Sequence, residues 1–177
     1  MLFTETELSG IYLIEPKRFE DERGFFAPSF SQRELEERGL TACFPESNIS
    51  YNHRRGTLRG LHYQASPYGQ AKLVRCTRGA VFDVAVDLRP DSPTFRKWIG
   101  IELSDENRLM MYLPADVAHG FQTLENHTEV FYQVSESYRP EASRGWRWSD
   151  PAFGIEWPLP DECIINTRDA TYPDFKT

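Results

Sequence analysis

The sequence predicts an all-β protein, built as an antiparallel jelly roll or sandwich with few, short helices. Pro and Gly punctuate short runs of β-branched and aromatic residues at the spacing expected of a sandwich or barrel. Only one segment carries a clear helix signal, and many short strands without intervening helices favour this class over an α/β sheet. No fixed-period repeat or low-complexity tract divides the 177 residues, so we expect one domain over residues 1–177.

The helix signal begins at Ser31. Ser31 and Glu34 have the spacing of a capping box, in which the serine hydroxyl accepts a hydrogen bond from the backbone N–H three residues later. Residues 36–38 continue the helix, and Gly39 offers the left-handed conformation in which helices often end. We therefore expect one short helix on the surface.

Ala80–Leu88 is the clearest strand, because its side chains alternate between two faces. One face holds Phe82, Val84, Val86 and Leu88, and the other holds Val81, Asp83, Ala85 and Asp87. The second face combines two acids with apolar residues, as the wall of a ligand-binding barrel does. The strand therefore predicts a partly polar interior.

Three further strands place one reactive side chain among apolar neighbours. The residues expected to share a face are Thr128, Val130, Tyr132 and Val134 in one strand, Lys72, Val74 and Cys76 in the second, and Leu58, Gly60, His62 and Gln64 in the third. Burying a polar group is costly unless it is satisfied or used. Each such residue also has an ordinary explanation as a satisfied core residue or an exposed edge residue, and His119 has the alternative of a turn histidine. Only their combination indicates a site.

Composition and charge exclude several classes of protein. The formal net charge of -7, from 20 Lys and Arg against 27 Asp and Glu, disfavours binding to nucleic acid. No apolar run approaches the ~20 residues that cross a bilayer, and the first residues lack the pattern of a signal peptide, so no membrane partner is expected. Cys43, Cys76 and Cys163 are odd in number and widely spaced, which favours reduced thiols and a cytoplasmic location.

Standard catalytic motifs do not account for the reactive residues. The chain has no glycine-rich phosphate loop, no dinucleotide-binding fingerprint and no Gly-x-Ser-x-Gly elbow. No two of its four histidines are one, three or four residues apart. A metal site is therefore not expected.

Motifs spread over nearly the whole chain carry a family resemblance. The most specific runs from Leu58 to Gln64 (LRGLHYQ) and continues from Gln70 to Arg75 (QAKLVR). The others are DERGFF at 21–26, DVAVDLR at 83–89, SPTF at 92–95, AHGF at 118–121, Tyr132, Tyr138 with Pro140, WSDP at 148–151, IEWP at 155–158, and Arg168 with Asp169. In this order they resemble the dTDP-4-dehydrorhamnose 3,5-epimerase family.

The resemblance implies a cupin-like jelly roll and a homodimer in which N-terminal strands are exchanged between subunits. It implies an isomerase that inverts C3 and C5 of a nucleotide-linked 4-keto-6-deoxyglucose, on the route to dTDP-L-rhamnose or a related deoxysugar. It also implies that no metal or other cofactor is needed. A C–H next to a ketone is acidic only when its enolate is stabilised, so such a site needs a base, an oxyanion partner and an acid on the opposite face.

The resemblance assigns four catalytic roles. His62 is the expected base, and Asp169 holds its other ring nitrogen. Lys72 supplies positive charge at the C4 oxygen as the enolate forms. Tyr132 returns a proton from the opposite face and so inverts the carbon.

The same resemblance assigns the substrate-binding residues. Arg59 and His119 hold the diphosphate or the sugar, and Asp83 supports His119. Arg23 contacts the nucleotide portion, and Tyr138 stacks on the base. The remaining positions of this set are Phe26, Asn48 and Arg168.

Four departures from the family pattern concern nucleotide recognition. They are Pro28 where Glu is common, Glu46–Asn48 in place of a Gln-Asp-Asn run, Ser143 near a common Glu, and Arg168 for Lys. The proton-transfer residues match, so the sequence leaves open an epimerase of one centre only, or one acting on another nucleotide-linked 4-keto sugar. A 3,4-ketoisomerase and a non-catalytic sugar-binding cupin are the remaining alternatives.

Overall fold

The computed structural model describes residues 1–176, which form antiparallel sheets with few helical turns. In chain order the strands are β1 (Leu2–Glu5), β2 (Tyr12–Glu15), β3 (Phe19–Asp21), β4 (Gly24–Phe26), β5 (Glu46–Asn52), β6 (Leu58–Gln64), β7 (Lys72–Arg78), β8 (Ala80–Asp87), β9 (Trp98–Ser104), β10 (Met110–Leu113), β11 (Val117–Thr123), β12 (Thr128–Val134) and β13 (Ser143–Gly145). The helices are α1 (Gln32–Glu36) and α2 (Thr167–Ala170), with a 3₁₀ turn at Pro160–Glu162. The predicted all-β class is confirmed.

Two main sheets enclose the interior. One has six strands in the order β1-β2-β10-β7-β12-β5, and the other has five in the order β13-β6-β11-β8-β9. Neighbouring strands that are distant in sequence are typical of a jelly roll, which is the architecture that the resemblance implied. β3 and β4 form a separate two-stranded hairpin.

Alternating side chains of β7 and β8 build the core between the sheets. Val74 of β7 and Val81 and Ala85 of β8 are buried in one cluster. Val84 and Val86 point the other way, into a cluster under the C-terminal segment. The alternation of side chains predicted for β8 is therefore confirmed.

The predicted helix is present but shorter than expected. α1 ends at Glu36, whereas the sequence predicts helix through residue 38. Ser31 caps it, because the serine hydroxyl accepts a hydrogen bond from the Glu34 backbone N–H at 3.3 Å. Gly39 has the expected left-handed backbone, with φ of 68°.

A β-bulge in β6 changes which of its side chains share a face. β6 pairs with β11 as His62 to His119 and as Arg59 to Phe121, so two residues of β6 oppose one of β11. Arg59 and His62 consequently both face the interior, while Leu58 joins the cluster on the other side of the sheet. The expectation that Leu58 and His62 share a face is wrong for this reason.

Two glycines allow the bulge to form. A Cβ atom at Gly60 would lie 2.5 Å from the Cα atom of Gly120, and one at Gly120 would lie 2.8 Å from the carbonyl oxygen of Arg59. Gly60 also has a φ of 128°, which side-chain-bearing residues rarely adopt. The backbones of β6 and β11 therefore approach more closely than side chains would permit.

Asp87 ends β8 in a buried hydrogen-bond network. Its carboxylate accepts hydrogen bonds from Arg89 Nε and Nη2, each at 2.8 Å, and from the hydroxyl groups of Ser92 and Thr94. Burial alone would raise the pKa of Asp87, but these hydrogen bonds outweigh it and hold the pKa well below its ordinary value. The ionised carboxylate thereby anchors the loop that follows β8.

Candidate active site

A cavity of about 450 Å³ opens between the two main sheets. Its walls come from β5, β7 and β12 of one sheet and from β6 and β11 of the other. The lining residues are Ile49, Ser50, Tyr51, Arg59, His62, Lys72, His119, Phe121 and Tyr132. Five residues that the sequence assigned to catalysis or binding, carried by four strands, therefore lie around one space.

His62 is held by a carboxylate behind it. Its Nε2 atom lies 2.9 Å from Oδ1 of Asp169, which is buried at α2. The second Asp169 oxygen accepts a hydrogen bond from the Gly60 backbone N–H at 3.1 Å. Burial alone would raise the pKa of Asp169, but the hydrogen bonds from His62 and Gly60 outweigh it and lower the pKa. An ionised Asp169 accepts a hydrogen bond from the Nε2–H group of His62, which leaves Nδ1 as the ring nitrogen that can accept a proton.

α2 places Asp169 at this position. Asn166 caps the helix, since its side-chain oxygen accepts a hydrogen bond from the Asp169 backbone N–H at 2.7 Å. The cap fixes the first turn, and the carboxylate of Asp169 projects from it toward β6. A four-residue helix thus positions the carboxylate that holds the His62 ring.

Tyr132 lines the same cavity from the other sheet. It lies on β12, where it pairs with Asn48 of β5 and Val74 of β7. Burial raises the pKa of Tyr132, and the charge of Arg59 lowers it by a smaller amount. The phenol is therefore protonated at neutral pH and available as a proton donor, with His62 on the facing sheet.

Lys72 is a buried cation in the wall of the same cavity. Burial lowers the pKa of Lys72 to about 8, and the nearby carboxylate of Asp83 raises it by a smaller amount. Its Nζ atom donates a hydrogen bond to the backbone carbonyl of His62 at 3.3 Å. With a pKa of about 8, the ammonium group is charged at neutral pH and easily discharged above it.

His119 is supported by Asp83, as the sequence proposed. The His119 Nε2 atom lies 2.8 Å from Oδ1 of Asp83, and both side chains are buried. The other Asp83 oxygen is buried without a hydrogen-bond partner among residues 1–176. This second His–Asp pair lies near Lys72, because the Asp83 charge acts on the Lys72 ammonium, and His119 and Lys72 both line the cavity.

Arg59 faces the cavity with one of its nitrogens already bonded. Its Nε donates to the side-chain oxygen of Asn52 at 2.8 Å. Together with Lys72, Arg59 gives the cavity two positive charges in a chain of net charge -7, and His119 adds a ring nitrogen to the same wall. Such a local excess of donors suits an anionic ligand.

Three of the residues assigned to nucleotide recognition lie outside the lining of the cavity but next to residues of the site. Asn48 is the cross-strand neighbour of Tyr132. Arg168 directly precedes Asp169 and donates through Nη2 to the Ser143 hydroxyl at 2.9 Å. Tyr138 is 55% exposed, on a loop whose backbone N–H faces the Glu46 carboxylate at 3.4 Å.

Arg23 and Phe26 are not brought to the cavity of their own chain. Both belong to the β3–β4 hairpin, which pairs with neither main sheet. Arg23 forms an exposed ion pair with Asp21, and Phe26 is 71% exposed. The sequence assigned both to substrate binding, and the structure of this single chain leaves them apart from the other members of the set.

Several residues near the site were missed from sequence. Ile49, Ser50 and Tyr51 bring the edge strand β5 to the cavity, and Ser50 Oγ is buried with no hydrogen-bond partner in the described chain. The Tyr172 ring packs edge-on against His62, with centroids 5.8 Å apart. One signal was available for Ser50, because a strand period of two places it on the same face as Asn48.

Within residues 1–176, no group of three or more His, Cys, Asp or Glu side chains is arranged to hold a metal ion. None of the helices in this part of the chain is long and apolar enough to cross a membrane.

Known proteins share both the sequence and this architecture. A family model described as dTDP-4-dehydrorhamnose 3,5-epimerase matches residues 5–177. The chain belongs to this epimerase family. A relative named dTDP-4-dehydrorhamnose 3,5-epimerase, from Shigella flexneri, is 48% identical over 172 residues, covering 97% of this chain and 94% of its own length.

Solved structures of the epimerase family superpose closely on this chain. The dTDP-4-dehydrorhamnose 3,5-epimerase of Elizabethkingia anophelis has a TM-score of 0.96 at 41% identity, covering 99% of this chain and 96% of its own. The dTDP-6-deoxy-D-glucose-3,5-epimerase of Legionella pneumophila, in complex with dTDP-4-keto-L-rhamnose, has a TM-score of 0.92 at 40% identity, with 98% and 92% covered. A 3'-monoepimerase of Streptomyces bikiniensis, in complex with dTDP-quinovose, is also similar, with a TM-score of 0.88 at 33% identity and 96% and 85% covered.

Proposed function

We propose that this chain is a dTDP-4-dehydrorhamnose 3,5-epimerase that inverts C3 and C5 of dTDP-4-dehydro-6-deoxy-D-glucose. One observation carries the proposal: His62 and Tyr132 lie on facing sheets and line one cavity, with Lys72 beside them. Family membership and the 3,5-epimerases at 41–48% identity support it.

The first step removes a proton from a carbon next to the C4 ketone. His62 Nδ1 accepts the proton, and the electron pair of the broken C–H bond moves to form the enolate. The Asp169 carboxylate on Nε2 stabilises the imidazolium that results. Negative charge gathers on the C4 oxygen, where the buried ammonium of Lys72 stabilises it more strongly than it could in water.

The second step returns a proton from the other side. Tyr132 gives its phenolic proton to the enolate carbon, the C4 carbonyl forms again, and the carbon is inverted. Solvent then reprotonates Tyr132 and removes the proton from His62, so the enzyme returns to its starting state. The same pair serves C3 and C5 in turn. These steps use side chains of this chain and proton exchange with solvent, and they change no oxidation state.

The basic residues of the cavity bind the anionic part of the substrate. We place the diphosphate against Arg59 and His119, the latter oriented by Asp83. Tyr138 stacks on the base, with Asn48 and Arg168 alongside. No described carboxylate lies within 4 Å of the Arg59 guanidinium as an ion-pair partner, so its charge is available to a ligand.

Arg23 and Phe26 contribute to substrate binding in a homodimer. In it, the β3–β4 hairpin of one protomer reaches the cavity of its partner, where Arg23 contacts the nucleotide. The exposed aromatic residues of the hairpin support this arrangement, as does the edge strand β5, where Ile49 beside the cavity is 65% exposed. We also propose a cytoplasmic location, which the three free thiols at Cys43, Cys76 and Cys163 support.

Proton exchange in D₂O tests the proposed reaction. The protein is incubated with dTDP-4-dehydro-6-deoxy-D-glucose, and the sugar is followed by NMR. We expect deuterium at both C3 and C5 and the L-lyxo product, with His62→Ala inactive. Exchange at one carbon alone would instead identify a monoepimerase, a 3-keto product would identify a ketoisomerase, and binding without exchange would identify a sugar-binding cupin.

A further inference from the structure

Asn52 occupies a buried position where the edge strand β5 meets Arg59. Its side chain is almost completely buried, at 2% exposure. The side-chain oxygen accepts a hydrogen bond from Arg59 Nε at 2.8 Å. The side-chain nitrogen donates to the backbone carbonyl of Ser50 at 3.1 Å and to that of Thr128 at 3.2 Å. Both ends of the amide are therefore used.

These contacts fix which way the amide points. The two acceptors on its nitrogen side are backbone carbonyls, which cannot donate, so the nitrogen must lie there and the oxygen must face Arg59. The carbonyl groups of Ser50 in β5 and Thr128 in β12 thus hold the Asn52 side-chain oxygen where it accepts a hydrogen bond from the Arg59 guanidinium. A buried amide whose three partners are all in place is rigid.

The hydrogen bond to Asn52 uses only the Nε–H donor of the Arg59 guanidinium. A guanidinium has five N–H donors in a planar fork, and Asn52 takes the one on Nε. The four donors on Nη1 and Nη2 lie in the same plane at the end of the guanidinium away from Nε, and Arg59 lines the cavity. Anchoring Nε stops rotation about the last bond of a long, flexible side chain.

We propose that Asn52 is a positioning residue for anion recognition, which holds the Arg59 fork so that its two terminal nitrogens meet the substrate diphosphate. This inference rests on the proposed function, in which Arg59 binds that diphosphate. It adds a residue outside the cavity lining that acts through Arg59 and has no contact with the reacting carbons. The ligand chemistry it serves is that of a nucleoside diphosphate.

Asn52 also joins β5 to β12, so a test must separate positioning from simple strand support. Gln122 offers a matched control, because it is fully buried and bonds the backbone N–H and carbonyl of Leu159 through both ends of its amide. Gln122→Ala removes the same kind of bonds at a place where Arg59 is not involved. Thermal melting of each variant reports its structural cost.

Calorimetric titration with dTDP measures the affinity of the site for the nucleoside diphosphate in the absence of turnover. We expect Asn52→Ala to weaken dTDP binding about tenfold, the size of one lost charge-assisted hydrogen bond, and Gln122→Ala to leave it unchanged. Asn52→Ser, which keeps a small polar group, serves if the alanine variant does not fold. In steady-state assays the KM should rise more than kcat falls.

A double-mutant cycle with Arg59→Ala decides the mechanism. We expect Arg59→Ala to weaken dTDP binding strongly, and Asn52→Ala to add less than twofold in that background. An equal loss in both backgrounds, or no loss when Arg59 is present, would overturn the positioning role while leaving the proposed epimerase intact. Unchanged binding in Arg59→Ala alone would remove Arg59 from the diphosphate site, and this inference with it.

Discussion

His62 and Asp169 are 107 positions apart in the sequence and meet with Nε2 2.9 Å from Oδ1. The carboxylate is buried, and its other oxygen is held by the backbone N–H of Gly60. The His62 ring is therefore oriented by a group that also bonds to the backbone of β6, the strand that carries His62. Rotation of the ring would break this pair.

Asp169→Asn should strongly slow proton abstraction from the substrate. The amide keeps the shape of the carboxylate but cannot stabilise an imidazolium, so we expect kcat to fall about 10²- to 10⁴-fold. Initial rates of deuterium incorporation measure the change. Asp174→Asn is the matched control, since Asp174 forms only an exposed ion pair with Arg147 and should leave the rate unchanged. A wild-type rate in Asp169→Asn would contradict the role of the pair.

Tyr132→Phe should separate proton removal from inversion. The variant retains His62, so substrate C–H bonds should still exchange with D₂O, while formation of inverted product falls about 10²- to 10⁴-fold. NMR distinguishes exchange with retention from exchange with inversion. Tyr68→Phe, on the partly exposed loop after β6, should behave as wild type. Full inversion in Tyr132→Phe would assign the returning proton to another group.

The pKa of Lys72 sets a limit on activity at high pH. Only the ammonium form stabilises the enolate oxygen, and burial lowers the pKa to about 8. We therefore expect kcat to decline as the pH rises through about 8, because the proton is lost there. A kcat that stays constant to pH 9.5 in a stable enzyme would contradict this assignment.

Lys72→Met should lose activity without losing stability. The methionine fills the space of the stem and removes a buried charge, whose desolvation opposes folding. We expect turnover to be abolished and the melting temperature to be unchanged or higher. Lys97→Met, at an exposed position, controls for the loss of one positive charge. A large drop in melting temperature would mean that Lys72 is mainly a structural partner of Asp83.

Asp87→Asn should weaken the fold at neutral pH. Removing one partner of a buried, hydrogen-bonded ion pair costs about 3 kcal/mol, measured as the free energy of unfolding in urea. Because the folded pKa of Asp87 lies below its unfolded value, its contribution is present above about pH 4 and is lost as the pH falls toward the folded pKa. The difference between wild type and variant should shrink in acid, and a constant difference down to pH 2 would contradict this.

Strand periodicity predicted the parts of the fold in which it was undisturbed. The two faces of β8 follow a period of two, so Asp83 was placed correctly on the interior side with Val81 and Ala85. In β6 the bulge adds one residue, and the same rule wrongly put Leu58 on the face that carries His62. Periodicity cannot detect a bulge, because it depends on what the neighbouring strand permits.

The site was predicted less completely than the fold. Family motifs pointed to His62, Lys72 and Tyr132, which do line one cavity. Asn52 and Tyr172 were missed because their contacts are made by tertiary packing, and neither residue type is diagnostic by itself. A single chain also leaves Arg23 on a hairpin away from the cavity, so its assignment depends on a second copy.

The close approach of Gly60 and Gly120 has an evolutionary consequence. The backbones of β6 and β11 fix the placement of Arg59 and His62 on one wall of the cavity. They can approach closely only because a Cβ atom at Gly60 or Gly120, which would collide with main-chain atoms, is absent. Exchange of a side chain that does not touch these two glycines can therefore alter the contacts around the cavity while Arg59 and His62 stay on the same wall.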